Sequence, residues 1–181
     1  MIRKRFETRI LLAGMMAMTG CHHSAPSNPP APLQLQGDSI VIVRTQSYFR
    51  TGPAYRVRVS RTGAVHFESR MPTDSGRVAT FQVDPDTAQA LIERAHGLGL
   101  NDLPSDLMGK APYCRVVATD APYVIVGLYG MEQQTVVRDY LGCFEHFDES
   151  GQGVIRRLRA FEADVDRIVS VGTHLPRDRR E

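Results

Sequence analysis

The chain has 181 residues, of which 42% are hydrophobic and 23% charged, a composition that is typical of globular proteins and excludes a disordered chain. Its formal net charge is +2, but the first 20 residues alone carry +3, so the remaining 161 residues carry −1. These 161 residues are nearly neutral, so they lack the excess of basic residues that is typical of nucleic-acid binding. Their number suits a single domain.

The first 20 residues are predicted to form a leader, and Cys21 follows it. Residues 1–9 are basic, and residues 10–18 form a nine-residue apolar stretch, whereas a helix that crosses a bilayer needs about 20. Thr19-Gly20-Cys21 follows at once. This arrangement resembles the signal peptide of bacterial lipoproteins, in which the cysteine is lipidated and becomes the mature amino terminus. The resemblance implies an acylated Cys21, and several acyl chains give stable membrane attachment.

A tether follows the lipidated cysteine. His22 comes next, and in lipoproteins a residue other than aspartate at this place is typical of sorting to the outer membrane. We therefore expect an outer-membrane anchor and a domain that faces the periplasm. Residues 22–37 contain four prolines and no charge, which predicts a semi-rigid spacer of up to about 50 Å. Residues 38–173 are predicted to form one domain, and residues 174–181 a polar tail.

Four strands and a helix are predicted in the first half of the domain. Residues 39–45 are apolar and β-branched, residues 54–61 and 64–70 alternate around a turn at Gly63, and residues 77–83 form the fourth strand. The helix is predicted to begin at Pro85 and to stop at Gly97, since Asp84 can cap it, Pro85 suits its first position and glycine is a common helix stop. Its inward residues follow the helical period: Ala88, Leu91, Ile92 and Ala95.

The second half repeats this order of elements. A connector over residues 98–112 precedes strands at 113–119, 123–128 and 133–140, a loop at 142–150 and a helix over 153–171. The order β-βββα-βββα predicts an α+β fold, in which two amphipathic helices cover one face of a mostly antiparallel sheet of about seven strands. The residues expected to be buried between helices and sheet are Phe81, Leu91, Leu158 and Phe161.

Short motifs spread over residues 39–171 carry a family resemblance. They are Gly52-Pro53-Ala54-Tyr55, Thr62-Gly63, Asp120-Ala121-Pro122, Tyr140-Leu141-Gly142-Cys143 and an acidic residue near the end of the last helix, Asp164 or Asp166. In this order they resemble DUF6438, a bacterial domain family of unknown function. The family pattern has two cysteines around its first turn, where this chain has Tyr48 and Gly52. The resemblance implies an envelope domain, and it implies no reaction.

Two cysteines remain after the leader, Cys114 and Cys143. Lipoproteins fold outside the reducing cytoplasm, so we expect a disulfide between them. In a simple three-strand meander the two residues lie at opposite ends, so the bond requires a folded-back loop or a different strand order. The alternative is a reactive site in which Cys143, His146 and Asp148 act as thiol, base and orienting carboxylate. A metal site in the same loop lacks a second pair of ligands.

An interaction surface is predicted around the first turn, where Tyr48, Phe49, Arg50 and Tyr55 flank Pro53. Tyrosine and arginine are frequent interface hot spots, although turn aromatics also pack over sheet edges. The sequence contains no motif of a catalytic, metal or cofactor site, and we expect none of these. We therefore predict a non-catalytic binding module with another envelope protein as partner. The alternatives are a small thiol hydrolase or redox enzyme that uses the Cys143 loop, and a purely structural lipoprotein.

Overall fold

The alternating segments of the sequence form a six-stranded antiparallel sheet. The computed structural model describes residues 38–73, 76–130 and 133–175, all within one compact unit. The main sheet has the order β4-β3-β2-β1-β6-β7, and β5 pairs with β8 in a second, two-stranded sheet. The strands are β1 (Ser39–Arg44), β2 (Tyr55–Ser60), β3 (Ala64–Ser69), β4 (Val78–Gln82), β5 (Val116–Val117), β6 (Tyr123–Tyr129), β7 (Gln134–Tyr140) and β8 (Cys143–Glu145).

The register of the sheet explains its buried face. Ile42 of β1 lies opposite Val57 of β2 on one side and Val126 of β6 on the other. Because side chains alternate between faces, every second residue of these strands points to the same side. The buried residues of this face are Ile40, Ile42, Tyr55, Val57, Val59, Val65, Phe67, Val124, Val126, Leu128 and Val137.

Both long helices pack on that face. They are α1 (Pro85–Gly97) and α2 (Glu149–Ile168), followed by the single turn α3 (Val171–His174). Asp84 caps α1 as predicted and accepts a hydrogen bond from Thr87 N at 2.9 Å. The inward residues of the two helices are Ala88, Leu91, Ile92 and Ala95 in α1, and Ile155, Leu158, Phe161 and Val165 in α2. The predicted α+β fold is thereby confirmed.

α2 crosses the sheet from β7 towards β3. Arg159 bonds Asp139 of β7, Asp166 bonds Tyr55 of β2, and His174 of α3 packs on the Phe67 ring of β3. Of the four residues expected between helices and sheet, Leu91, Leu158 and Phe161 are fully buried, whereas Phe81 on the edge strand β4 is partly buried. None of the helices in the described part of the chain is long and apolar enough to cross a bilayer.

The second half of the domain departs from the prediction. The expected strand over 113–119 has only two residues, and it pairs with β8, which lies inside the expected loop 142–150. α2 begins at Glu149 rather than at residue 153, because Asp148 caps it. At Gly151 a Cβ would lie 1.9 Å from Pro112 O, so this glycine serves close packing on the connector rather than loop flexibility.

Several predictions lie outside the described residues. They are the signal peptide, the lipidated Cys21, the tether over residues 22–37 and the polar tail beyond residue 175.

Candidate functional site

Cys114 and Cys143 form a disulfide, as the sequence predicted. Their Cα atoms are 5.8 Å apart, because β8 pairs with β5 and brings Cys143 beside Val117. The segment after Tyr140 thus turns back as β8, and β5 pairs with it outside the main sheet, so the geometric difficulty of a simple meander does not arise. The bond links residues 29 positions apart and contributes about 3 kcal/mol in the chain-entropy description.

The three residues of the alternative thiol site have separate structural roles. The Cys143 sulfur is bonded to Cys114, and His146 Nδ1 contacts the carbonyl oxygen of Tyr113. Asp148 accepts hydrogen bonds from Ser150 Oγ at 2.6 Å and from Gly151 N at 3.0 Å, and these bonds lower the pKa of its carboxyl. In this oxidised structure Cys143 has no free thiol, and Asp148 is the cap of α2. The described residues also contain no group of three or more metal-binding side chains.

Of the four residues predicted to form an interaction surface, Tyr48, Phe49 and Arg50 are exposed, whereas Tyr55 is buried. Tyr48 and Phe49 are 79% and 72% exposed, and their rings meet edge to face at 5.6 Å. Arg50 is exposed beside them. Tyr55 is 0% exposed, because it lies on the same inward face of β2 as Val57 and Val59. We call residues 45–54, which connect β1 to β2, the aromatic loop.

Hydrogen bonds fix the backbone of the aromatic loop. Gln46 Nε2 donates to the carbonyl oxygens of Arg50 at 3.0 Å and Gly52 at 2.9 Å. Thr51 N donates to Ser47 Oγ at 3.2 Å. Tyr48 N donates to the carbonyl oxygen of Asp120 at 3.2 Å, which ties the loop to the turn before β6. Tyr48 and Phe49 are therefore displayed by an ordered backbone, which reduces the entropy lost on binding.

The same end of the sheet carries exposed side chains that the sequence analysis missed. Phe144 and Phe147, on and after β8, are 66% and 47% exposed. The β5–β8 pair is held near the aromatic loop, because the Tyr140 hydroxyl donates to Ala118 O at 2.8 Å and accepts from Ala121 N at 3.0 Å. Two phenylalanines within the predicted loop 142–150 were the available signal for these exposed side chains.

A row of polar side chains lies beneath the aromatic loop. The row crosses four neighbouring strands in register: its polar members are Tyr55 of β2, Arg44 of β1 and Asp139 of β7. The apolar Val124 of β6 lies between Arg44 and Asp139. The Tyr55 hydroxyl donates to Asp166 Oδ1 of α2 and accepts from Arg44 Nε at 3.1 Å. Arg44 also donates to Asp166 Oδ2 at 3.3 Å. Burial raises the pKa of Tyr55, which keeps its hydroxyl a proton donor.

α2 adds a buried carboxyl to this row. Glu162 is 2% exposed, and its Oε1 has no hydrogen-bond partner. Burial, followed by the charge of Asp139, raises the pKa of Glu162 to about 8. Asp139 is 1% exposed and binds Arg159 through two bonds, Nε to Oδ2 at 2.7 Å and Nη2 to Oδ1 at 3.2 Å. A neutral Glu162 leaves Asp139 and Asp166 balanced by Arg44 and Arg159.

A cavity of about 320 Å³ lies at the opposite end of the sheet, where β1 begins. Its walls are Asp38, His96, Asn101, Leu128, Gly130, Gln133 and Thr135. The buried acids lie where β1 ends, so cavity and acids do not combine into one site. The buried carboxyls with raised pKa values, Glu162 and Asp166, do not line the cavity.

Comparison with known proteins identifies no relative. No known family matches the chain, and no curated protein matches it. The resemblance to DUF6438 therefore stays a prediction.

Proposed function

We propose that this protein is an outer-membrane lipoprotein whose α+β domain binds another envelope protein through the aromatic loop, without catalysis. The observation that carries this proposal is the pair Tyr48 and Phe49, both more than 70% exposed on a loop whose backbone is hydrogen-bonded. Fully burying one large apolar side chain stabilises a complex by about 1.5–3 kcal/mol. Such side chains on a preorganised loop are suited to the centre of an interface.

The distance of the aromatic loop from Asp38, the first described residue, supports a partner that binds at the far end of the sheet. Asp38 directly precedes β1, and the aromatic loop directly follows it. The six residues of β1, at about 3.3 Å each, separate these two points by roughly 20 Å. The predicted tether thus joins one end of the sheet, and the exposed aromatic side chains lie at the other. Phe144 and Phe147, on and after β8, are also exposed.

The double variant Tyr48→Ser/Phe49→Ser is expected to lose partner binding without losing stability. Both side chains are exposed, so the thermal midpoint should change little. Capture of the partner by chemical crosslinking in the intact envelope should fall at least tenfold, since a hot-spot residue contributes about 2 kcal/mol. Val78→Ser, an exposed apolar residue on β4, is the matched control and should retain capture. Undiminished capture by the double variant would exclude the aromatic loop as the interface.

Cys21→Ala is expected to abolish the lipid anchor. Without the thiol no acyl chain can be attached, so the protein should leave the outer-membrane fraction or accumulate as the uncleaved precursor. His22→Asp, which keeps Cys21, is the matched control and should move the processed protein towards the inner membrane. Membrane fractionation with mass spectrometry of the amino terminus measures both. A processed Cys21→Ala protein in the outer membrane would contradict the anchor.

The two alternative functions require different features of the protein. A thiol hydrolase or redox enzyme requires a free Cys143 beside His146 and Asp148, and alkylation of the native mature protein would reveal such a thiol. A purely structural lipoprotein requires no specific contact through the aromatic loop, so its envelope function would survive the double variant.

A further inference from the structure

We infer that protonation of Glu162 is a switch that keeps the aromatic loop ordered, and that ionisation of this carboxyl loosens the loop. The inference rests on the proposed function, because it assigns regulation to the same binding surface. Three observations lead to it: the two residues that flank the loop, the buried position of Glu162, and the charges that face this carboxyl.

Arg44 and Tyr55 flank the aromatic loop as its two supports. Arg44 is the last residue of β1 and Tyr55 the first of β2, and the two are register partners. Both are bound to the same carboxylate, Asp166 of α2. Any movement of Arg44 or Asp166 is therefore transmitted to both ends of the loop.

Glu162 lies one helical turn before Asp166 and shares its face of α2. The charged and titratable groups around it are Arg44 of β1, Asp139 of β7, and Arg159 and Asp166 of α2 itself, with Tyr55 of β2 joined through Asp166. Val124 of β6 is apolar. On α1, Arg94 forms an ion pair with Asp164 at 2.8 Å. Asp164 is partly exposed and does not belong to the groups around Glu162.

Both guanidinium groups near Glu162 are already bound to other side chains, so neither is available to pair with an ionised Glu162. Arg159 is bound by Asp139 through two hydrogen bonds, and Arg44 is shared between Tyr55 and Asp166. A third buried carboxylate must therefore draw Arg44 from the loop supports or admit water beneath the loop, because an uncompensated buried charge is unfavourable. Either response weakens the attachment of the aromatic loop.

The direction of the pH effect follows from proton linkage. We call the form with an ordered aromatic loop closed, and the form in which the loop loosens and water reaches the carboxyl of Glu162 open. The pKa of Glu162 is about 8 in the closed form and has its ordinary value of 4.5 in the open form. The closed form thus binds more protons between these values, so opening becomes more favourable as pH rises, by up to tenfold per pH unit. Above about pH 8 both forms are ionised and the effect levels off.

Amide hydrogen exchange of the aromatic loop tests the switch directly. The amides of Tyr48, Arg50 and Thr51 each donate a hydrogen bond in the ordered loop. Their protection factors, which correct for the intrinsic pH dependence of exchange, should fall at least tenfold between pH 5.5 and 8.5 in the full mature chain. In Glu162→Gln they should stay constant, because glutamine imitates the neutral acid. A constant wild-type value, or an equal fall in Glu162→Gln, would overturn the switch.

Asp164→Asn is the matched control, since Asp164 lies on α2 but bonds the surface residues Arg94 and Arg167. It should keep the wild-type profile, and all three proteins contain the same histidines. A profile in Asp164→Asn as flat as that of Glu162→Gln would assign the effect to general helix charge and overturn the switch.

A direct titration covers the case in which Glu162→Gln does not fold. The carboxyl carbon resonance of Glu162 in the wild-type chain should titrate with a midpoint above 6.5, and a midpoint at or below 6.5 would contradict the inference. These measurements need no partner. A pH-independent loop together with lost capture in Tyr48→Ser/Phe49→Ser would remove the switch and leave the proposed function intact. A pH-dependent loop together with undiminished capture in Tyr48→Ser/Phe49→Ser would exclude the proposed function and leave the switch intact.

Discussion

Truncating Phe161 to alanine is expected to lower the free energy of unfolding by about 3–5 kcal/mol. Phe161 is fully buried on the inward face of α2, and the guanidinium of Arg94 on α1 lies 5.9 Å from its ring centroid. Removing the ring leaves a void where α2, α1 and the sheet meet, and the surrounding residues can fill it only in part. Urea denaturation followed by circular dichroism measures the loss.

Arg157→Ala is the matched control at an exposed position of the same helix. Arg157 is exposed, so this change should alter the free energy of unfolding by no more than about 0.5 kcal/mol. A loss of less than roughly 1 kcal/mol in Phe161→Ala would contradict the packing of α2 against the sheet.

Local patterns were sufficient to predict the first half of the domain. Strict alternation in β2 and β3 fixes which side chains are inward, and the turn at Gly63 sets their pairing. The cap and proline at the start of α1 place that helix within the predicted bounds. In each case neighbours in sequence determine the structure, so tertiary contacts need not be known.

The second half depends on contacts that are distant in sequence. β5 and β8 are two and three residues long, and their pairing is supported by the Cys114–Cys143 bond. Ser150 and Gly151 are poor helix formers, which is why the helix was predicted to begin only at residue 153. The approach of Gly151 to Pro112, 39 positions away, explains a glycine in the first turn of α2.

The buried polar row was predictable in part. Arg44 continues the inward positions of Ile40 and Ile42, as Asp139 continues that of Val137. On α2 the buried positions Ile155, Leu158, Glu162 and Val165 follow the helical period, so Glu162 occupies an apolar position. A charged residue in such a position was the signal. Its partners could not be read from the sequence, since they depend on how α2 crosses the sheet.

Replacing Arg159 with leucine is expected to destabilise the domain by about 3–5 kcal/mol at neutral pH. Arg159 is two-thirds buried and holds Asp139, a carboxylate that is 1% exposed, through two bonds, and it donates a third to Tyr140 O at 3.2 Å. Leucine keeps the apolar contacts of the arginine stem but leaves Asp139 as a buried charge beside Glu162. Urea denaturation at pH 7 measures the loss.

The double variant Arg159→Leu/Asp139→Asn separates the buried charge from the lost contacts. Asparagine is nearly the same size as aspartate and carries no charge, so the double variant should be more stable than Arg159→Leu alone by at least about 1 kcal/mol. If the charge of Asp139 is what makes the single variant unstable, its removal must recover stability even though a second native side chain is lost. A double variant less stable than Arg159→Leu would show instead that Asp139 is stabilised by groups other than Arg159, and that the polar row beneath the aromatic loop does not depend on this ion pair.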